Sequence, residues 1–184
     1  MTGRQIRVGA VLAGALVVAL ALWILLADDD EPDQRNATPQ AVTGAADLLD
    51  ERKLVERTGS LEPRPYWVGP REGRAYELTV TPAGRTFVRY LPAGVNPGDP
   101  RPDFLTVATY PVGTNALAAL RRAGRKEGAE TVDLPDGALL VTNPASPKSA
   151  YYARPGWRFE VEVYHPTPGE AMRLVLSKAV REVD

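Results

Sequence analysis

The spacing of apolar positions divides the chain into three stretches. Residues 8–27 (VGAVLAGALVVALALWILLA) run without a charge or a Pro. At about 1.5 Å rise per residue this helix would measure about 30 Å, the thickness of a bilayer's hydrocarbon core, so the run is expected to cross a membrane. Residues 45–57 (AADLLDERKLVER) place Leu48, Leu49 and Val55 at helical spacing, with Gly59 just beyond for a left-handed cap. That short helix belongs to a stalk or docks at the domain's edge, and the stalk is preferred. From Pro65 onward the period falls to two.

Residues 76–81 alternate apolar and polar, turn through Pro82-Ala83-Gly84 and return over residues 86–91, which predicts a hairpin. The Pro- and Gly-rich residues 92–102 form a surface loop, residues 104–110 a third strand, and residues 115–125 a helix with Leu117 and Leu120 inward. Residues 130–134 and 138–142 are short strands around Pro135-Asp136-Gly137. Residues 149–154 and 157–164 pair across Pro155-Gly156. A two-residue loop there sets Tyr152 opposite Phe159 and Ala150 opposite Val161. It leaves Tyr151, Glu160 and Glu162 on the other face, which is expected to meet water. Residues 167–180 close the chain as a helix, with Thr167 as N-cap, Pro168 in the first turn, Glu170 completing a capping box, and Met172, Leu176 and Ala179 as its apolar stripe. Segments 104–125 and 159–180 look alike, either as a duplicated half or as the ordinary handover from strand to helix. Together these elements predict an α+β fold: an N-terminal transmembrane helix, then a mostly antiparallel sheet with about two helices on one face.

Charge orients the span. Arg4 and Arg7 precede it, whereas Asp28, Asp29, Asp30, Glu31 and Asp33 follow it before the first cation, Arg35. The amino terminus is therefore expected in the cytoplasm and the remainder outside, anchored in the cell membrane by a single pass. A cleaved signal peptide is the rival reading, but the run exceeds a usual signal core, and Leu25 stands where a small side chain would precede the cut. The domain plan reads as a stub over 1–7, an anchor over 8–27, an acidic tether with a short helix over 28–59, and an extracytoplasmic domain over 60–184. The tether carries nine acids against four bases, while residues 60–184 carry 16 Lys/Arg against 14 Asp/Glu. Neither balance suits nucleic acid, and the topology separates the domain from it. With no Cys, the chain has no disulfide, no lipidated thiol and no thiolate metal site.

Candidate chemistry is sparse. His165 is the sole His, no G-x-S-x-G or phosphate-binding loop is present, and Glu160 and Glu162 share a strand face about 7 Å apart. That spacing suits a cation or an acid/base pair, yet on a face open to water both groups are ordinary solvated charges. Tyr66, Trp67, Tyr90, Tyr110, Tyr151, Tyr152, Trp157 and Tyr164 gather in or beside strands, where rings pack a sheet or line a site for a glycan, peptide or lipid. No residue is assigned a catalytic, cofactor-binding or metal-binding role, and no cofactor is expected.

The stretches YWVGPREGRAYELT, FVRYLPAGVNPGDPRPDFLTVATYP and YYARPGWRFEVEVYHPTPGEAMRLV resemble small membrane-anchored or secreted proteins of GC-rich Gram-positive bacteria, for which no activity is assigned. The resemblance implies an envelope location and brings no catalytic residues. The closing order of hairpin, strand and helix is also similar to small extracytoplasmic domains attached to bacterial regulators. Three functions remain open. The first is a tethered binding or interaction domain with an envelope protein, glycan or lipid as partner. The second is a cell-envelope hydrolase using Glu160, Glu162 or His165, and the third a sensor acting through a membrane partner.

Overall fold

The computed structural model describes residues 47–184. The anchor over 8–27 and the acidic tether up to residue 46 lie outside the described residues. No described helix is long and apolar enough to cross a membrane.

The described chain orders its elements as β1 (Leu48–Leu49), α1 (Glu51–Thr58), β2 (Tyr66–Trp67), β3 (Arg74–Val80), β4 (Thr86–Pro92), β5 (Thr106–Pro111), α2 (Ala116–Ala123), β6 (Glu130–Asp133), β7 (Leu139–Thr142), β8 (Ser149–Ala153), β9 (Phe159–Tyr164), α3 (Glu170–Leu176) and β10 (Arg181–Glu182). An eight-stranded sheet runs in the order β1-β3-β4-β5-β9-β8-β7-β6, with every neighbouring pair antiparallel. A two-stranded sheet pairs β10 with β2. The α+β class and the antiparallel sheet are as predicted.

Among the described residues three helices are present, the two predicted for the domain and the short one predicted over 45–57, but they cover both faces of the sheet where one was predicted. On the first face, Leu54 of α1 and Ala171, Leu174 and Val175 of α3 join Tyr76, Val88, Tyr90, Val107, Tyr152 and Val161 in the larger core. On the second, Ala116 and Leu120 of α2 pack on Leu139, Val141, Tyr151 and Ala153. Residues 139–141 and 150–153 are buried at both parities, as a strand covered on both sides must be.

Four local readings are corrected. First, residues 45–57 do not form a free stalk where they are described. Leu48 and Leu49 pair with Glu77 and Tyr76, Asp50 caps α1 by accepting from the Lys53 amide at 2.8 Å, and Leu54 is fully buried. The folded unit thus reaches back at least to Leu48, ahead of residue 60. Second, Gly59 has φ −59°, a right-handed end in place of the left-handed cap.

Third, the hairpin at Pro155-Gly156 slips by two residues, pairing Tyr152 with Val161 and Ala150 with Val163. Its turn closes with the Trp157 amide on the Arg154 carbonyl. The carbonyls of Trp157 and Arg158 instead accept from the amides of Ala116 and Val112, so these residues serve α2 and its approach. A slip of two preserves parity, so Tyr151 still shares a face with Glu162.

Fourth, α3 starts at Glu170 after Gly169 (φ +80°), without a side-chain cap. Thr167 gives its amide to His165 Nδ1, and the Gly169 amide goes to the Pro147 carbonyl. The buried stripe is accordingly Ala171, Leu174 and Val175, while Met172 and Leu176 are exposed. The likeness between residues 104–125 and 159–180 maps Val107, on the first face, onto Glu162, on the second. Their following helices lie on opposite faces, which favours ordinary strand-to-helix handover over duplication.

Candidate functional site

Alternation along β9 sends Glu160 and Glu162 to the second face, opposite Tyr110 and Ala108 of β5. Both carboxyls are buried, at 3% and 7% exposure, which overturns the expectation of a solvated face. Periodicity fixes parity but is silent on what covers a face. Here α2 covers one part, and the loop between β4 and β5 covers another. Gly98 donates its amide to Glu77, Arg89 reaches the carbonyls of Asp99 and Arg101, and the Tyr164 hydroxyl reaches Pro102.

The two carboxyls are supported unequally. Glu162 accepts from the Tyr110 hydroxyl at 2.7 Å, the Ser149 hydroxyl at 2.9 Å, and Tyr151. Burial pushes its carboxyl above the usual range, and those three donors oppose the shift. Among the described residues no hydrogen bond offsets the burial of Glu160. Burial first and Glu162 second push it up to about 8, so it holds its proton at neutral pH. Two carboxyls side by side with unequal support are the raw material of acid/base chemistry, but both are buried in this structure. His165 is not brought to it. Among the described residues, no group of three or more His, Asp or Glu is placed to hold a metal ion.

The aromatic residues pack. Trp67, Tyr90 and Tyr110 are nearly inaccessible. Trp157 stacks on Phe159 with centroids 4.4 Å apart, and meets Tyr66 at a tilt and Tyr152 edge-on. These rings build the core, so an exposed aromatic platform for a glycan is not formed by them.

The open site is at one end of the sheet, where β3 begins, β4 nears its end, β5 is about to start and β9 has just finished. A cleft of about 380 Å³ there is walled by α3. Its floor and sides include Tyr90, Phe104, Leu105, Pro166 and Leu174. Arg71, Arg74, Arg173 and His165 bring basic groups to it, and Glu72 and Asp103 bring acids. Arg71 and Arg74 are the two ends of one turn, closed by the Arg74 amide on the Arg71 carbonyl, with Gly73 at φ +67°. Ends of such a turn lie within about 7 Å at Cα, so two guanidinium groups arise from one rim.

The remaining charges in and beside the cleft are partly matched. Glu170 accepts from Arg173 at 2.6 and 2.9 Å, and that bond, with His165 and Arg71 nearby, holds its carboxyl below the usual range. Asp103 is within the field of Arg101. His165 Nδ1 accepts from the Thr167 amide at 3.0 Å, which leaves Nε2 as the ring's donor. Arg71 and Arg74 form no ion pair among the described residues.

The sequence reading singled out His165 here and missed Arg71, Arg74 and Arg173. The available signal was the pair of Arg flanking Glu72-Gly73, a turn with like charge at both ends. No protein family, curated protein or solved structure matches this chain.

Proposed function

We propose that this chain is a membrane-tethered, extracytoplasmic binding domain whose ligand enters the cleft between the strand ends and α3. The cleft carries the reading: it is open, it combines an apolar floor with polar rims, and two of its guanidinium groups, those of Arg71 and Arg74, form no ion pair among the described residues. Ligand sites commonly pair such apolar walls with a few convergent polar groups. The apolar run over 8–27 and the Arg-before, Asp-after pattern around it support the tether and its orientation. A hydrolase centred on Glu160 and Glu162 is less well supported, because both carboxyls lie under cover while the open cleft holds neither.

Two measurements test this. Protease added to intact protoplasts should digest the domain while a reporter fused to the amino terminus survives. A chromosomal copy carrying Arg71→Ala and Arg74→Ala should reproduce the deletion phenotype at normal protein level. Full complementation by that copy would remove the cleft from the function.

A further inference from the structure

We propose that the ligand of this cleft is a phosphate ester of a small polyhydroxylated group, a sugar or polyol phosphate; the inference rests on the binding reading above. Donors reach the cleft from three separate segments: Arg71 and Arg74 from the turn before β3, His165 Nε2 from the residue after β9, and Arg173 from α3. A phosphate ester arrays its oxygens tetrahedrally, three terminal ones in a monoester and two terminal with two ester oxygens in a diester. Donors arriving from different directions can each find one, whereas a carboxylate presents two oxygens in a single plane. Guanidinium groups are suited to such phosphate oxygens.

The cleft is larger than a phosphate alone requires. At about 380 Å³ it also has space for an organic group lying on Phe104, Leu105, Pro166 and Leu174. Glu72 and Asp103 complete the chemistry. Beside a phosphate site these acids repel further negative charge, but as acceptors they suit hydroxyl groups. The set therefore favours one phosphate with hydroxyls attached over a polyanion. Glu170 competes for Arg173, so Arg71 and Arg74 are the groups most available to the ligand.

The full-length chain in nonionic detergent is titrated calorimetrically with sn-glycerol 3-phosphate, glycerophosphoglycerol, inorganic phosphate and glycerol. Both esters are expected to bind, inorganic phosphate more weakly and glycerol not at all. Arg71→Ala with Arg74→Ala should weaken ester binding at least tenfold while the melting temperature holds. Arg74→Glu alone gives the same test should the double variant be unstable. Tighter binding of the diester points to a lipid headgroup or polymer as the source, and tighter binding of the monoester to a free phosphate ester. Absence of binding by both esters, or binding unchanged by the Arg substitutions, overturns the proposal. If the esters fail to bind but the Arg variant fails in cells, the phosphate is wrong and the cleft reading stands. Ester binding alongside full complementation in cells overturns the functional reading instead.

Discussion

Glu160 and Glu162 leave the same strand toward the same buried face, yet only Glu162 is met by donors. Tyr110, Ser149 and Tyr151 converge on Glu162, whereas Glu160 has a neighbouring carboxyl and, among the described residues, no hydrogen bond to offset it. A proton on Glu160 is thereby part of the folded state at neutral pH.

Stability should fall as pH rises from about 4.3, the ordinary value for Glu, to about 8. Below that window both states hold the proton. Within it the unfolded chain releases the proton and the folded chain keeps it, so unfolding gains, and above it the loss levels off. Glu160→Gln, which cannot ionise, should show a flatter profile and melt several degrees above the wild type at pH 8.5. A wild-type melting temperature unchanged between pH 5 and 8.5 would refute the protonated Glu160.

Tyr110→Phe removes the 2.7 Å donor to Glu162 and leaves that buried carboxyl short of one partner. The expected cost is about 1–3 kcal/mol. It should shrink when Glu162 is also changed to Gln, and a double-mutant cycle in urea checks this coupling.

Arg89 and Glu77 form an ion pair at 3.0 Å with side chains 11% and 6% exposed. Removing one partner strands a buried charge, so Arg89→Ala should cost about 3–5 kcal/mol. It also releases the carbonyls of Asp99 and Arg101, so faster hydrogen exchange is expected in the loop between β4 and β5.

Gly124 closes α2 against β6, and a Cβ there would lie 2.4 Å from Thr131 Cγ2. Gly124→Ala should destabilise by about 1–3 kcal/mol through overpacking. Thr131→Ser, which deletes the obstructing methyl, should restore most of the loss. Gly156, by contrast, has φ +80° with open space around it. Its Ala variant should cost about 1–2 kcal/mol from backbone strain, with no rescuing partner.

Much of the fold could be read from period and punctuation. Residues 76–81 alternate cleanly, Pro82-Ala83-Gly84 turns the chain, and residues 86–91 are rich in β-branched and aromatic side chains, so that hairpin followed directly. The coverage of the second face was harder to read, because alternation in residues 159–163 says that Glu160 and Glu162 share a side without saying which side is wet. The missed clue was in their neighbours: residues 139–141 and 150–153 are apolar at both parities, which requires cover on both faces. The last helix misled for a different reason. Thr167-Pro168 imitates a helix start, but His165 captures the Thr167 amide and Gly169 turns the chain before the helix begins. The cleft was least legible, since its basic groups come from positions 71, 74, 165 and 173 and meet only after the strands have aligned.

The pairing of β5 with β9 also sets an order of assembly. Pro111 meets Phe159 and Thr106 meets Tyr164, contacts 48 and 58 residues apart along the chain. During synthesis β3, β4 and β5 are complete well before β9 exists, and β5 waits with one row of amides and carbonyls unpaired. A nascent or truncated chain ending near Ala153 therefore carries an adhesive border. A β9 from a neighbouring copy could fill it, so crowding of unfinished chains favours exchange of β9 between molecules. The same long closure predicts slow folding for a domain of this size, paced by the meeting of two distant strands.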